Sequence, residues 1–159
     1  MKKLPTLFLQ AVLLLIGLLV LALLIRFPLT EGRARNLDLF SIYADPFILY
    51  AYAASLAFFV ALYKAIRILG YIRQDRLFTL KSVRTLKSIK YCAIILIIMI
   101  GLGGIYIRIF HAEGDDPAGF LALCMLMIFI NIAIATAVAV LERLLQNAVD
   151  MKTENDLTI

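Results

Sequence analysis

Four stretches of this chain, Leu7 to Ile25, Pro46 to Tyr63, Tyr91 to Ile107 and Ala118 to Leu141, contain no Lys, Arg, Asp or Glu. A membrane-crossing helix needs roughly 20 predominantly apolar residues, and each stretch meets or approaches that length. The composition agrees: 64% of the 159 residues are hydrophobic and the mean hydropathy is +0.97, against about 45–50% apolar residues in soluble domains. The sequence predicts an all-α integral membrane protein, a four-helix bundle of one domain.

Charge orients the spans. Lys64, Arg67, Arg73, Arg76, Lys81, Arg84, Lys87 and Lys90 crowd the segment 64–90, between the second and third runs. Basic residues beside transmembrane helices stay on the cytoplasmic side. With Lys2, Lys3, Arg143 and Lys152 that side holds 12 of the 16 basic residues, leaving Arg26, Arg33, Arg35 and Arg108 outside. Both termini are expected in the cytoplasm, with segment 64–90 an internal loop and 142–159 an internal tail. The first apolar run is longer than the ~7–15 residue core of a secretory signal and ends at Ile25-Arg26-Phe27-Pro28, so it reads as an uncleaved helix. Short loops and the lack of glycosylation sequons point to a bacterial inner (plasma) membrane.

The two spans that begin outside open with Asp45-Pro46 and Asp116-Pro117, a capping side chain followed by a proline suited to the first turn. The preceding loops share Ile25-Arg26-x4-Glu31-Gly32 and Ile107-Arg108-x4-Glu113-Gly114, which is either the trace of a duplicated hairpin or a chance match of residues ordinary at membrane edges. Tyr43, Tyr63, Tyr91 and Tyr106 fall near span ends, where amphipathic rings anchor at headgroups. Ala53-x3-Ala57-x3-Ala61 in the second span, and Ala133-x3-Ala137 and Ala135-x3-Ala139 in the fourth, make small-residue faces expected to pack together, within one chain or across a homo-oligomer.

Polar groups within the spans are few. Asn131 and Ser55 lie near the middles of the fourth and second spans, and Asn131 is expected to face the bundle interior and bond either Ser55 or a backbone carbonyl. No span carries the ionisable residue that a proton-coupled transporter uses. Glu142 reads as a snorkelling neighbour of Arg143. Cys92 and Cys124 are expected to differ in height by roughly 15–20 Å, too far for a disulfide. His111 with Glu113, Asp115 and Asp116 allows a weak divalent-metal patch, for which a flexible acidic loop is the plainer account. No catalytic group, cofactor site or metal site is assigned, and no direct nucleic-acid contact is expected.

From Leu80 the chain runs in threes: Leu80-Lys81-Ser82, Val83-Arg84-Thr85, Leu86-Lys87-Ser88, Ile89-Lys90-Tyr91. Steps of three fall back by about 60° each on an α-helix, so the apolar, basic and hydroxyl stripes wind around it. This predicts an amphipathic cytoplasmic helix between spans two and three, N-capped by Thr79, first lying along the headgroups and then turning into the third span. Lys81, Arg84, Lys87 and Lys90 then meet anionic lipid headgroups, dock a soluble partner, or act only as a positive-inside anchor.

The run Phe78-x3-Ser82-Val83-Arg84-x-Leu86-Lys87-x-Ile89, with the ending Glu154-Asn155-Asp156-Leu157-Thr158-Ile159, resembles the small four-span bacterial membrane proteins grouped as domain of unknown function 2975. The likeness follows the whole chain in span order; members often have Asn where this chain has Ser82. The resemblance implies four spans, cytoplasmic termini, no established enzymatic activity, and genes often beside that of a small helix-turn-helix regulator. It makes the basic loop and the tail, with Asp156 and Thr158, candidate contacts for such a regulator.

The leading expectation is therefore a non-enzymatic sensor or regulatory partner, in which the bundle responds to membrane state or a lipophilic ligand and the basic segment reports it. Two other classes stand beside it. Glu142-Arg143-x3-Asn147 resembles the acidic-basic-amide cluster of glutathione-transferase-like four-helix membrane enzymes, although those carry it in an earlier helix. A small-molecule transporter is the third, weakened by the uncharged spans.

Overall fold

The computed structural model describes residues 3–30, 39–110 and 116–157. They form five α-helices: α1 Lys3–Thr30, α2 Leu39–Tyr43, α3 Pro46–Arg73, α4 Leu80–Phe110 and α5 Ala118–Leu157, and no strand appears among the described residues. All but the short α2 are long and apolar enough to cross a membrane. The cap signals form as written: Asp45 Oδ1 accepts from Phe47 N at 2.8 Å and Asp116 Oδ1 from Ala118 N at 3.0 Å.

The helices outrun the apolar stretches. α3 continues to Arg73 and α5 to Leu157, so Lys64 to Arg73 and most of the expected tail are helical. Charged residues end a span but not a helix, because Lys, Arg, Glu and Gln are good helix formers. Leu80–Phe110 is likewise one uninterrupted helix, and no separate amphipathic helix precedes the third span. The connection shrinks to residues 74–79, which carry no helix.

That turn is closely bonded. Arg76 N–H donates to the Tyr71 carbonyl at 2.9 Å and Asp75 N–H to the Ile72 carbonyl at 3.2 Å, the paired 6→1 and 5→2 bonds of a Schellman motif, with Asp75 in the left-handed region at φ 54°. Thr79 takes the N-cap position of α4, its hydroxyl 3.4 Å from Ser82 N. The Thr79 and Ser82 hydroxyls both reach the Arg76 carbonyl, at 3.2 and 3.3 Å, and Ser82 is fully buried.

The spans pair in chain order, α1 with α3, α3 with α4 and α4 with α5, so the bundle is an open row of helices rather than a closed ring. α4 and α5 run antiparallel along a regular seam. On α4 the inward positions are Ser82, Leu86, Ile89, Ala93, Leu96, Ile100 and Gly103, and on α5 Leu121, Cys124, Ile128, Asn131, Ala135, Val138, Glu142, Leu145 and Val149, alternating steps of four and three. A 3.5-residue period is the left-handed coiled-coil spacing. Val83, Leu86 and Ile89 with Leu145 and Val149 form its core at the end carrying the α3–α4 turn, where Ala65 and Ile68 of α3 pack against them. At the opposite end two glycines let neighbours close in: a Cβ at Gly103 would lie 3.4 Å from the Tyr50 ring, and one at Gly104 3.7–3.8 Å from Leu121 and Cys124.

Because α4 lies between them, the small-residue faces of the second and fourth spans do not pack on each other within the chain. Ala53, Ala133 and Ala137 are exposed, and α3 reaches α5 at the Phe47 and Phe120 rings, 5.9 Å between centroids. α1 attaches through Gln10 Nε2 to the Ile66 carbonyl at 3.2 Å, with Tyr52 and Tyr43 hydroxyls on the Leu24 and Ile25 carbonyls at 3.1 Å. Its remaining surface, from Leu4 at 82% exposure to Leu18 at 66%, faces outward. So large an apolar surface is tolerable only against lipid or another protein.

Asp75 is the residue at which turn geometry and side chain conflict, since the left-handed region costs a residue with a Cβ about 1 kcal/mol. Asp75→Gly is expected to raise stability by about that amount and the β-branched Asp75→Val to lower it. Thermal unfolding of the detergent-purified protein, followed by circular dichroism, checks both signs.

Candidate functional site

The basic stripe of α4 divides by geometry. At 100° per residue, Arg84 and Lys87 fall on the side away from the α5 seam, and Lys81 lies to one side of it. All three are exposed, and none forms an ion pair among the described residues. The same 60° fall-back carries Lys90 to the flank of the seam. There its Nζ lies 2.5 Å from Glu142 Oε2, both side chains half-buried or better at 23% and 16% exposure, with Tyr91's ring centroid 5.6 Å from the ammonium.

Two expectations are corrected by this pair. Lys90 is engaged by α5 rather than held out to lipid or a partner, and Glu142 bonds Lys90 instead of standing beside Arg143 at the surface. The physical reason is position: Glu142 occupies an inward step of the α5 repeat, where a carboxylate without a partner would be costly. The pair joins α4 to α5 just where the uncharged part of α4 begins.

The other two stripes feed the interior. Val83, Leu86 and Ile89 are buried, and so are Ser82 and Thr85. The hydroxyls satisfy themselves on the preceding turn, Thr85 Oγ1 to the Lys81 carbonyl at 2.8 Å and Ser88 Oγ to the Arg84 carbonyl at 3.0 Å. A hydroxyl bonded this way packs almost as an apolar group. This is why α4 turns that face to α5 and α3 instead of lying along headgroups.

Asn131 is 8% exposed, on the α5 seam, and its Nδ2 donates to the Met127 carbonyl at 2.9 Å. Ser55 Oγ donates to the Tyr52 carbonyl at 2.7 Å. Each is satisfied within its own helix, and the structure does not bring the two together. Thr158 and the side chain of Asp156 lie outside the described residues, as do His111, Glu113, Asp115 and the matched loop residues Glu31, Gly32 and Gly114. Cys92 and Cys124 are free thiols. Among the described residues no three His, Cys, Asp or Glu gather as metal ligands. Nor does the Glu142, Arg143 and Asn147 cluster assemble, since Glu142 turns into the seam while the other two are exposed.

At the end opposite the α3–α4 turn, a cavity of about 300 Å³ opens between α3 and α4, lined by Pro46, Phe47, Tyr50, Leu102, Gly103 and Tyr106. Tyr50 donates its hydroxyl to the Met99 carbonyl at 2.7 Å, and Phe47 stacks with Tyr106 at 6.3 Å between centroids. The walls are aromatic and apolar, suited to a lipophilic molecule rather than a charged one. Sequence reasoning missed this cavity and the Lys90–Glu142 pair. The four-three spacing from Asn131 to Val149, with Glu142 in phase, was the signal for the pair.

Lys90→Met or Glu142→Met alone leaves a half-buried charge unpaired and is expected to cost about 2 kcal/mol, whereas the double substitution recovers most of the loss. Unfolding of the three variants in detergent measures the coupling; strictly additive losses would show that the two groups do not interact.

Comparison with known proteins sets these features in a family. Residues 28–159 match the family model described as Protein of unknown function (DUF2975). The chain is similar to the Uncharacterized membrane protein YoaS of Bacillus subtilis (strain 168), 38% identical over 164 aligned positions that cover 100% of both chains. No solved structure matches. With four helices fit to span a membrane and a full-length relative that is a membrane protein, the chain is a multi-pass membrane protein and belongs to this family of unknown function.

Proposed function

We propose that the protein is a non-enzymatic sensor or regulatory partner in the bacterial plasma membrane, with both termini in the cytoplasm. Its output surface is the exposed stripe Lys81, Arg84 and Lys87, together with the tail residues Asp156 and Thr158. The partner is a small helix-turn-helix regulator, the kind the family resemblance implies, presenting acidic side chains to the stripe.

The observation that carries this reading is the continuity of α4. One unbroken helix, Leu80–Phe110, bears the free cations near its start and contributes Leu102, Gly103 and Tyr106 to the aromatic cavity near its end. A lipophilic molecule in that cavity, or a change in bilayer thickness, shifts α3 against α4 and moves the stripe with it. The orientation rests on charge: 12 of the 16 Lys and Arg residues lie in sequence before the first apolar stretch, between the second and third, or after the fourth. α5 returns antiparallel to α4, and the contacts of Leu145 and Val149 with Val83, Leu86 and Ile89 support a reading in which the tail works near the stripe.

Two experiments test the proposal. Purified full-length protein is expected to retain a small helix-turn-helix regulator of the kind the family resemblance implies, and Lys81→Glu with Arg84→Glu and Lys87→Glu to reduce recovery about tenfold or more, as reversal of three charges at an interface should; undiminished recovery would remove the stripe from the mechanism. Alkaline phosphatase fused to the C-terminus should be inactive and a fluorescent protein fused there bright, and the reverse pattern would overturn the orientation.

A further inference from the structure

At the end carrying the α3–α4 turn, α1 and the turn leave an open cleft of about 690 Å³, lined by Leu7 on one side and Arg73, Gln74 and Arg76 on the other. Leu7 also lines an apolar trough of about 550 Å³ with Leu4, Pro5, Phe8 and Ala11 along α1. A basic cleft and an apolar trough thus share one wall.

The depth of the cleft matches a headgroup layer. α3 has 28 residues, which at 1.5 Å each span about 42 Å, close to the ~40–45 Å thickness of a bilayer with its headgroups. With Pro46 at one interface, Arg73 and Arg76 lie at the other, and the trough runs inward from them. Among the described residues neither arginine forms an ion pair, nor does Asp75 between them. The arginines' backbones are held by the Schellman bonds and by the Thr79 and Ser82 hydroxyls on the Arg76 carbonyl. Guanidinium groups mounted on a fixed turn bind phosphate with less ordering cost than groups on a mobile loop.

The geometry points to a binding site for one anionic phospholipid. Arg73 and Arg76 take the phosphodiester, Gln74 donates to the headgroup or ester oxygens, and an acyl chain follows Leu7, Leu4 and Phe8 along the trough. A free phosphate compound would use the cleft alone, whereas a lipid uses both halves, and two guanidinium groups lining the cleft favour a net anionic headgroup over a zwitterionic one. The site uses none of the α4 stripe, so it stands or falls separately from the regulatory reading.

Native mass spectrometry of the detergent-purified full-length protein, titrated with dioleoyl phosphatidylglycerol and with dioleoyl phosphatidylcholine, tests it. The expected result is a single tight phosphatidylglycerol adduct, weakened about tenfold or more by Arg73→Gln with Arg76→Gln and retained by Lys81→Gln with Arg84→Gln and Lys87→Gln. Gln74→Glu, which keeps both arginines and places a carboxylate in the cleft, should also weaken it and covers the case in which the double variant misfolds. Equal binding of the two lipids, equal loss in the two charge-neutralised variants, or displacement of the lipid by glycerol 3-phosphate at comparable concentration would overturn the proposal.

Discussion

Helix packing in lipid lacks the drive that assembles a soluble bundle, because acyl chains are as apolar as leucine. What holds this row of helices in register is close fit and polar contact, and both are concentrated between α4 and α5. Glycine and small residues bring the two together at one end, the Lys90–Glu142 pair fixes them at the other, and the four-three repeat keeps the surfaces in phase between. α3 then leans on α4 through Tyr50 and the Met99 carbonyl, and α1 on α3 through Gln10 and Tyr52 and on α2 through Tyr43. In each of these contacts a side-chain donor meets a main-chain carbonyl of the next helix. Attachment weakens outward from the α4–α5 pair.

The spans and their starts were legible because each has a local cause. A charge cannot be buried in hydrocarbon cheaply, so its absence marks a span, and an Asp before a Pro writes a helix start into two adjacent residues. The order of packing was not legible. Where nearly every residue is apolar, the side facing protein carries no more contrast than the side facing lipid, and the alanine faces of the second and fourth spans pointed to a pairing that α4 prevents within one chain. The rule of threes after Leu80 was visible but gave the wrong surface. It suggested three stripes winding around a helix laid first along the headgroups, whereas Ser82 and Thr85 join the apolar residues inside by bonding their hydroxyls to nearby carbonyls.

The same rule explains how one row of four cations splits into two roles. Lys81, Arg84 and Lys87 remain outward, while Lys90 is carried to the seam and held there by Glu142. Identical chemistry at identical spacing thus gives three available charges and one structural one, and only the phase of the helix decides between them. Family membership adds no chemistry to this, since the family is itself described as one of unknown function.

The length of α5 has a mechanical consequence. Its 40 residues make a rod of about 60 Å, some 15–20 Å longer than a bilayer is thick. A rod pivoting at its far interface is a lever, and a tilt of about 10° displaces its tip by about 10 Å over that length. α4 is strapped alongside the same rod by the ion pair and the Leu145 and Val149 contacts, so the two move as one stiff arm. For a rod of this length a small tilt, the ordinary answer of a helix to a change in bilayer thickness, corresponds to a tip displacement comparable to the width of a helix.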